Sequence, residues 1–167
     1  MAAQFWQGKK VFLTGHTGFK GSWLSLMLTM LGAEVRGFAL APDSNPNLFE
    51  EAKLGALIDS RLGDIRQAET LEACMQDFAP DIVLHLAAQA IVSTSYREPI
   101  ATLATNVLGT AHVLEAIRKT PSVRAAVIVT TDKCYDNAET GQRFRETDPL
   151  GGKDPYSASK ACAELVT

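Results

Sequence analysis

Three groups of residues in this chain could do chemistry. In Gly15-His16-Thr17-Gly18-Phe19-Lys20-Gly21, glycines stand first, fourth and seventh, after the apolar run Val11-Phe12-Leu13 and before the apolar-rich pattern Trp23 to Leu31. Without side chains, the first glycine permits a sharp bend, the second lets backbone approach an anion, and the third lets helix pack close on strand. Free amides and the positive end of the helix dipole then face a pyrophosphate. A tight turn that holds nothing has the same glycines; a place after a strand and at the opening of a helix favours the nucleotide. The second group is Tyr156 and Lys160, four apart and on one helix face. A free tyrosine, with a pKa of about 10, is a poor base at neutral pH, and a neighbouring ammonium favours its phenolate. Taken alone, such a pair is more often a surface pair. Third, Thr131-Asp132-Lys133 follows a strand. Adjacent residues there can address neighbouring atoms of one bound molecule, or be the solvated charges of an ordinary turn.

The elements that must position these groups alternate strand and helix. After Lys10 to Thr14 and the helix that Gly32 stops, Glu34 to Leu40 reads as a second strand, followed by the polar loop Ala41 to Asn47 and a short helix from Leu48. Leu57 to Leu62 reads as a third strand, Glu69 to Phe78 as a helix, and Ile82 to Leu86 as a fourth strand of the continuous apolar kind that parallel sheets bury on both faces. Pro99 opens a long helix to about Lys119, and Ala125 to Thr130 is a fifth strand. The loop from Thr131 to Asp154 is long for a compact domain, which points to function or mobility. Asp154 caps, and Pro155 starts, the helix of Tyr156. Repeated strand-helix-strand units imply an α/β fold, a doubly wound parallel sheet of Rossmann type, in one domain over residues 1–167. Ligands bind such sheets beyond the carboxyl ends of the strands, so the glycine loop, the loop after Leu40, Ala87-Ala88-Gln89 and Thr131-Asp132-Lys133 are expected in one cleft.

Composition narrows the classes. With 46% hydrophobic and 21% charged residues the chain can bury a sizeable core and carries no disordered or fibrous bias. A net charge of -3 gives no general reason to expect nucleic acid or an anionic membrane. Cys74, Cys134 and Cys162 have no metal-ligand spacing, so no metal site is expected, and they suit a reducing, cytoplasmic setting. The helix after Gly21 is too short and too often interrupted by Ser and Thr to span a bilayer. Cys134 reads as a packed thiol, His85 as a core histidine with one satisfied nitrogen, His112 as a helix-face residue and Arg36 as a solvated strand residue.

On these motifs the chain resembles the extended short-chain dehydrogenase/reductases, and within them the CDP-glucose branch of the sugar-nucleotide 4,6-dehydratases. Gly15, Gly18 and Gly21 match the glycine motif, Gly63-Asp64-Ile65 the adenine segment, and His85 to Ala90 the fourth-strand motif that lines the cofactor. Asn106-Val107-Leu108-Gly109-Thr110 matches the helix motif behind the nicotinamide, and Tyr156-Ser157-Ala158-Ser159-Lys160 the catalytic Tyr-x-x-x-Lys. Five matches in the family's order are specific where each alone is modest. The branch is marked by Thr131-Asp132-Lys133, where related dehydratases carry Thr-Asp-Glu, and by Cys134-Tyr135-Asp136-Asn137.

The resemblance implies NAD as cofactor, held by Gly15, His16, Thr17, Gly18, Phe19, Lys20, Gly21, Asp64, Ile65, Leu86, Ala87, Ala88, Gln89, Thr105, Thr130, Tyr156 and Lys160. It implies CDP-glucose as substrate, with oxidation at C4, loss of water across C5 and C6, and hydride return to C6. Tyr156 with Lys160 and Thr131 is then the C4 base group, Thr131 bonding the phenolic oxygen, Asp132 the acid, and Lys133 sits in the base position, where it must be neutral to accept a proton. An epimerase or reductase of the same superfamily and a non-catalytic dinucleotide-binding module are the alternatives. Two departures point to weak NAD binding. Ala39 stands near where an acid normally binds the ribose, with Asp43 or Ser44 as substitutes, and His16 and Lys20 either lie exposed around the turn or crowd the phosphate. Members of the family run on into a substrate half and form homodimers, so the chain is expected to be truncated in the Tyr156 helix and inactive alone. Their products feed dideoxysugars of lipopolysaccharide O-antigen.

Overall fold

The computed structural model describes residues 2–139, 141 and 143–167; Thr140 and Gln142, in the long loop, lie outside the described residues. The chain forms two compact units, Met1–Ala87 with His112–Ile128, and Ala88–Ala111 with Val129–Thr167.

The first unit holds a five-stranded parallel sheet in the order β3-β2-β1-β4-β5. Its strands are β1 (Lys10–Thr14), β2 (Glu34–Ala39), β3 (Asp59–Leu62), β4 (Ile82–His85) and β5 (Ala125–Ile128). Thr14 pairs with Phe38 on one side and with His85 on the other, so the strand order reverses at β1 and β4. In sheets of this kind ligands bind at that reversal. The helices are α1 (Ala2–Trp6), α2 (Phe19–Met30), α3 (Leu48–Glu51), α4 (Ala68–Phe78), α5 (Val92–Arg97), α6 (Pro99–Leu103), α7 (Gly109–Arg118) and α8 (Pro155–Val166). The expected doubly wound sheet is therefore present, with strand ends shifted by one or two residues.

Strand alternation divides the core. Val11, Leu13, Ile82 and Leu84 pack with Leu28, while Phe12 and Val83 pack with Phe38, Leu71 and Val113. Gly32, with φ at +84°, ends α2, and a side chain there would strike Gln7. The polarity of α2 is unexpected: Gly21, Ser22 and Ser25 are buried, whereas Phe19, Trp23, Met27 and Met30 are at least half exposed. Small residues let the helix lie close to the strands and turn its bulk outward.

Two expectations about single residues are corrected here. Arg36 is not solvated; it is buried, with Nε 2.6 Å from Asp59, an NH group 2.6 Å from Asp77, and its guanidinium 4.7 Å from the centre of the Phe78 ring. Two carboxylates and an aromatic face compensate the charge, and its pKa rises despite burial. His16 neither lies exposed nor crowds a phosphate passage. Its side chain is fully buried, with Nε2 2.7 Å from Ser60 Oγ and its ring edge-on to Phe49 at 5.3 Å. Burial pushes its pKa down to about 4, against a smaller opposing effect of the Phe38 carbonyl. The ring occupies the space left by Gly37, where a Cβ would lie 2.3 Å from it.

The second unit holds α6 and the π-helical segment Ala104–Leu108, from which one helical path continues through α7 to Arg118. By length and composition alone this path could cross a membrane, yet it buries Thr102 and Asn106 within this unit. Asp154 Oδ1 accepts the Ser157 amide at 2.9 Å and Pro155 takes the first turn of α8, as expected of that cap. The long loop opens with a 3-10 turn, Asp132–Cys134, and closes on itself through a bridge between Tyr135 and Leu150.

Two predictions follow from the His16 packing. Gly37→Ala should cost about 2 kcal/mol of stability in urea unfolding, and that penalty should shrink in a His16→Ala background, where the ring no longer fills the space. Because His16 is held neutral, its folded pKa lies below the unfolded 6.5, so its contribution is complete above pH 6.5 and is lost as the pH falls towards about 4. Unfolding free energies across that range should fall by about 2 to 3 kcal/mol more for the wild type than for His16→Gln.

Candidate functional site

In the first unit the glycine loop is built by close backbone approach. Gly15 has φ at +78°, and a Cβ there would lie 2.8 Å from the Ala87 amide nitrogen. Its own amide donates to the Phe38 carbonyl at 3.0 Å. Thr14 Oγ1 accepts the amides of Leu86 and Ala87, each at 3.1 Å, and lies 2.6 Å from His85 Nδ1. With both lone pairs of the hydroxyl taken, its proton goes to Nδ1, and the imidazole carries its own proton on Nε2. His85 is thus the core histidine expected from the sequence.

The three glycines have different reasons. Gly21 is forced by the loop itself, since a Cβ would lie 2.0 Å from the Gly15 carbonyl oxygen, rather than by packing on the strand. Gly18 is different: its nearest neighbour would be 3.4 Å away, an ordinary contact, so packing within the chain does not demand a glycine there. The loop is tied down by Thr17 Oγ1, which donates to the Leu40 carbonyl at 2.8 Å, and by Ser22 Oγ, which donates to the His16 carbonyl at 3.0 Å. Phe19 and Lys20 are exposed.

Beyond β2 and β3 the polar groups are sparse. Ala39 is buried, Asp43 is exposed, and Ser44 Oγ turns to the Pro46 carbonyl at 3.4 Å. The Gly63 amide donates to the Ala39 carbonyl at 2.8 Å, and a Cβ on Gly63 would meet the Phe38 ring at 2.3 Å. Asp64 is gripped by Arg66, whose Nε lies 2.9 Å and one NH2 group 2.5 Å from Oδ2, and this holds the carboxyl below its usual range. Ile65 points into the core, and its carbonyl meets His112 Nδ1 at 3.0 Å. His112 therefore sits on its helix face as a partner of that loop.

In the second unit Asn106, placed by the π-helical segment, is the hub. Its Oδ1 accepts the Gln89 amide at 2.8 Å, and its Nδ2 donates to the Gln89 carbonyl at 3.0 Å and to Ser159 Oγ at 2.8 Å. Ser159 in turn donates to the Tyr156 carbonyl at 2.6 Å. Gln89 closes the set through Nε2, which donates to Thr102 Oγ1 at 2.9 Å. Ala88 and Thr105 are half-buried alongside. An extra residue in a helical turn re-aims the side chains around it, and here it carries Asn106 to the Gln89 segment.

On α8, Tyr156 is half-buried and Lys160 is buried, with its Nζ donating to the Val129 carbonyl at 3.0 Å. Burial pushes the lysine pKa down, and the carboxylate of Glu164 opposes the shift. Thr131 does not turn to Tyr156; its hydroxyl donates to Asp132 Oδ1 at 3.1 Å and accepts the Lys133 amide at 3.4 Å. Asp132 and Lys133 are exposed. Cys134 is a packed thiol, as expected, and burial raises its pKa. Thr130 donates to Glu164 Oε1. Sequence reasoning passed over Thr14, Ser159 and Glu164; the i+4 spacing of Glu164 from Lys160 was the available signal for the last.

Comparison with known proteins agrees with this architecture. Residues 12–167 match the family model described as GDP-mannose 4,6 dehydratase. The chain is 55% identical over 162 residues to the CDP-glucose 4,6-dehydratase of Salmonella typhimurium, covering 97% of this chain and 45% of that protein. It is 35% identical to the dTDP-glucose 4,6-dehydratase of Xanthomonas campestris, over 91% of this chain and 46% of the relative. Among solved structures, the Thermus thermophilus UDP-glucose 4-epimerase in complex with NAD superposes with a TM-score of 0.79 at 32% identity, over 93% of this chain and 49% of the other. The Stenotrophomonas maltophila UDP-glucose-4-epimerase, with bound NAD and formylated UDP-arabinopyranose, gives 0.82 at 26% identity, over 95% and 47%. The chain spans about half the length of the relatives it matches. With a family match across nearly its whole length on a parallel sheet of the expected doubly wound kind, this chain belongs to the GDP-mannose 4,6 dehydratase family.

Proposed function

We propose that this chain is the dinucleotide-binding part of a nucleotide-sugar 4,6-dehydratase that converts CDP-glucose to CDP-4-keto-6-deoxyglucose. The observation that carries the reading is Lys160, buried one helical turn after Tyr156 and donating to the Val129 carbonyl, in a chain 55% identical to a CDP-glucose 4,6-dehydratase. A lysine in that environment is no surface partner of its tyrosine.

The residues of the glycine loop fit NAD. Gly18 is exposed at the α2 N-terminus, where amides and the helix dipole favour a pyrophosphate. When bound, the nicotinamide supplies the hydride acceptor for C4 and the donor for C6. Tyr156 takes the proton of the 4-hydroxyl, with the Lys160 ammonium one helical turn away on the same face of α8. Once C4 is a ketone the C5 proton is acidic; Asp132 protonates the departing 6-hydroxyl and Lys133 stands where the C5 base is required. Both are exposed at the Thr131–Cys134 turn, open to a substrate. Gly15, Thr17, Gly21, Leu86, Ala87, Ala88, Gln89, Thr105 and Thr130 complete the cofactor set, with the backbone rather than the buried ring of His16 available to it. Asp64, held by Arg66, and Ile65 frame the adenine end.

An epimerase is the second reading, because the solved structures cited above are epimerases. The acid and lysine of Asp132-Lys133 favour the dehydratase, since inversion alone expels no water. The same reading carries a homodimer in the cytoplasm and a product destined for deoxysugars.

Incubation of the full-length protein with NAD and CDP-glucose should give a 4-keto-6-deoxy product, detected by its absorbance in alkali. Tyr156→Phe should lower that rate about a thousandfold. Product without loss of water would favour the epimerase, and unaltered function in Tyr156→Phe a non-catalytic module. With Ala39 where a ribose-binding carboxylate is expected, calorimetry should give a weak NAD complex. A dissociation constant in the low nanomolar range would refute that.

A further inference from the structure

Glu164 lies one turn beyond Lys160 and two beyond Tyr156, so the three residues share a face of α8. Its contacts are of a particular kind. Oε1 accepts the Thr130 hydroxyl, from the segment leaving β5, and the Cys134 thiol at 3.9 Å, from the turn that carries Asp132 and Lys133. One carboxylate oxygen thus reaches two of the segments around α8, while Lys160 holds the first of them through the Val129 carbonyl at 3.0 Å. Cys134 is 1% exposed, and its backbone ties the turn further: its amide donates to the Thr131 carbonyl at 3.1 Å and its carbonyl accepts the Gly151 amide at 2.8 Å.

We propose that Glu164 is a positioning residue: it clamps Thr130 and the Thr131–Cys134 turn to the helix of Tyr156 and Lys160, and so sets the spacing at which Asp132 and Lys133 address the substrate held by Tyr156. The inference rests on the dehydratase reading for its link to catalysis, and on the contacts of Thr130 and Cys134 alone for the clamp. Hydrogen bonds to a charged acceptor are among the stronger ones, and reacting groups displaced by about 1 Å can lose up to about a hundredfold in rate.

Two variants of the full-length protein separate these parts. Glu164→Ala removes the acceptor; Glu164→Gln keeps an oxygen in place. Amide hydrogen exchange across residues 131–136 and at Gly151 should quicken about tenfold in Glu164→Ala and return towards wild type in Glu164→Gln. With NAD and CDP-glucose, Glu164→Ala should lower kcat about tenfold while KM stays within about twofold, and Glu164→Gln should recover most of the loss. Unchanged exchange in Glu164→Ala overturns the clamp, and a rise in KM with kcat intact overturns the positioning role. If the wild type turns over no nucleotide sugar, the dehydratase reading and the catalytic link fall, while the exchange measurement still decides the clamp.

Discussion

The closeness of Gly15 to Ala87 is the constraint on which the first unit depends. At β1 and β4 the strand order reverses, and the two chains leaving those strands would diverge unless something held them together. Thr14 does so with one hydroxyl that accepts two consecutive amides. The resulting approach leaves no room for a side chain at residue 15, where the backbone also takes a left-handed conformation. Fixing that bend fixes the direction in which α2 departs. Gly21 and Ser22 then close the loop on the carbonyls of Gly15 and His16.

Buried polar groups carry the precision that apolar packing cannot. An apolar core specifies volume, whereas a buried donor or acceptor costs stability unless its partner is in place, so each such group selects one arrangement. His16 links the glycine loop to β3 through Ser60 and obliges β2 to place glycine at position 37. Asn106 has the corresponding part in the second unit, where one amide side chain binds both the amide and the carbonyl of Gln89 and the Ser159 hydroxyl on α8. In both places a loop is held by a buried side chain that joins it to another part of its unit.

Much of this was legible in the sequence, because the signals were local. The run Val11 to Leu13, the glycine spacing and the Asp154-Pro155 start of α8 each act within a few residues, and each appears where expected. Less legible was what depends on partners far along the chain. Arg36 reads as a solvated strand residue until Asp59 and Asp77 are brought to it, 23 and 41 positions away. His16 looks like an intruder in a phosphate loop until Gly37 is seen to vacate the space its ring fills. The outward bulk of α2 escapes a reading by composition, which sees apolar residues and sends them to the core. A π-helical turn has no sequence signature of its own, so Pro99 to about Lys119 reads as uninterrupted helix although Asn106 depends on the interruption.

Arg36 and Lys160 show two degrees of compensation for a buried charge. Both are buried cations, and both lose solvation. Arg36 receives two carboxylates within 2.6 Å and an aromatic face, so its charge is overcompensated and its pKa rises. Such a group is locked, and its work is to join β2 to β3 and α4. Lys160 receives one carbonyl at 3.0 Å and a carboxylate that acts from farther off, and its pKa falls. A stability argument alone would favour a second acceptor close to its ammonium. Leaving the compensation incomplete costs stability, which marks Lys160, one helical turn from Tyr156, as the less settled of the two buried charges.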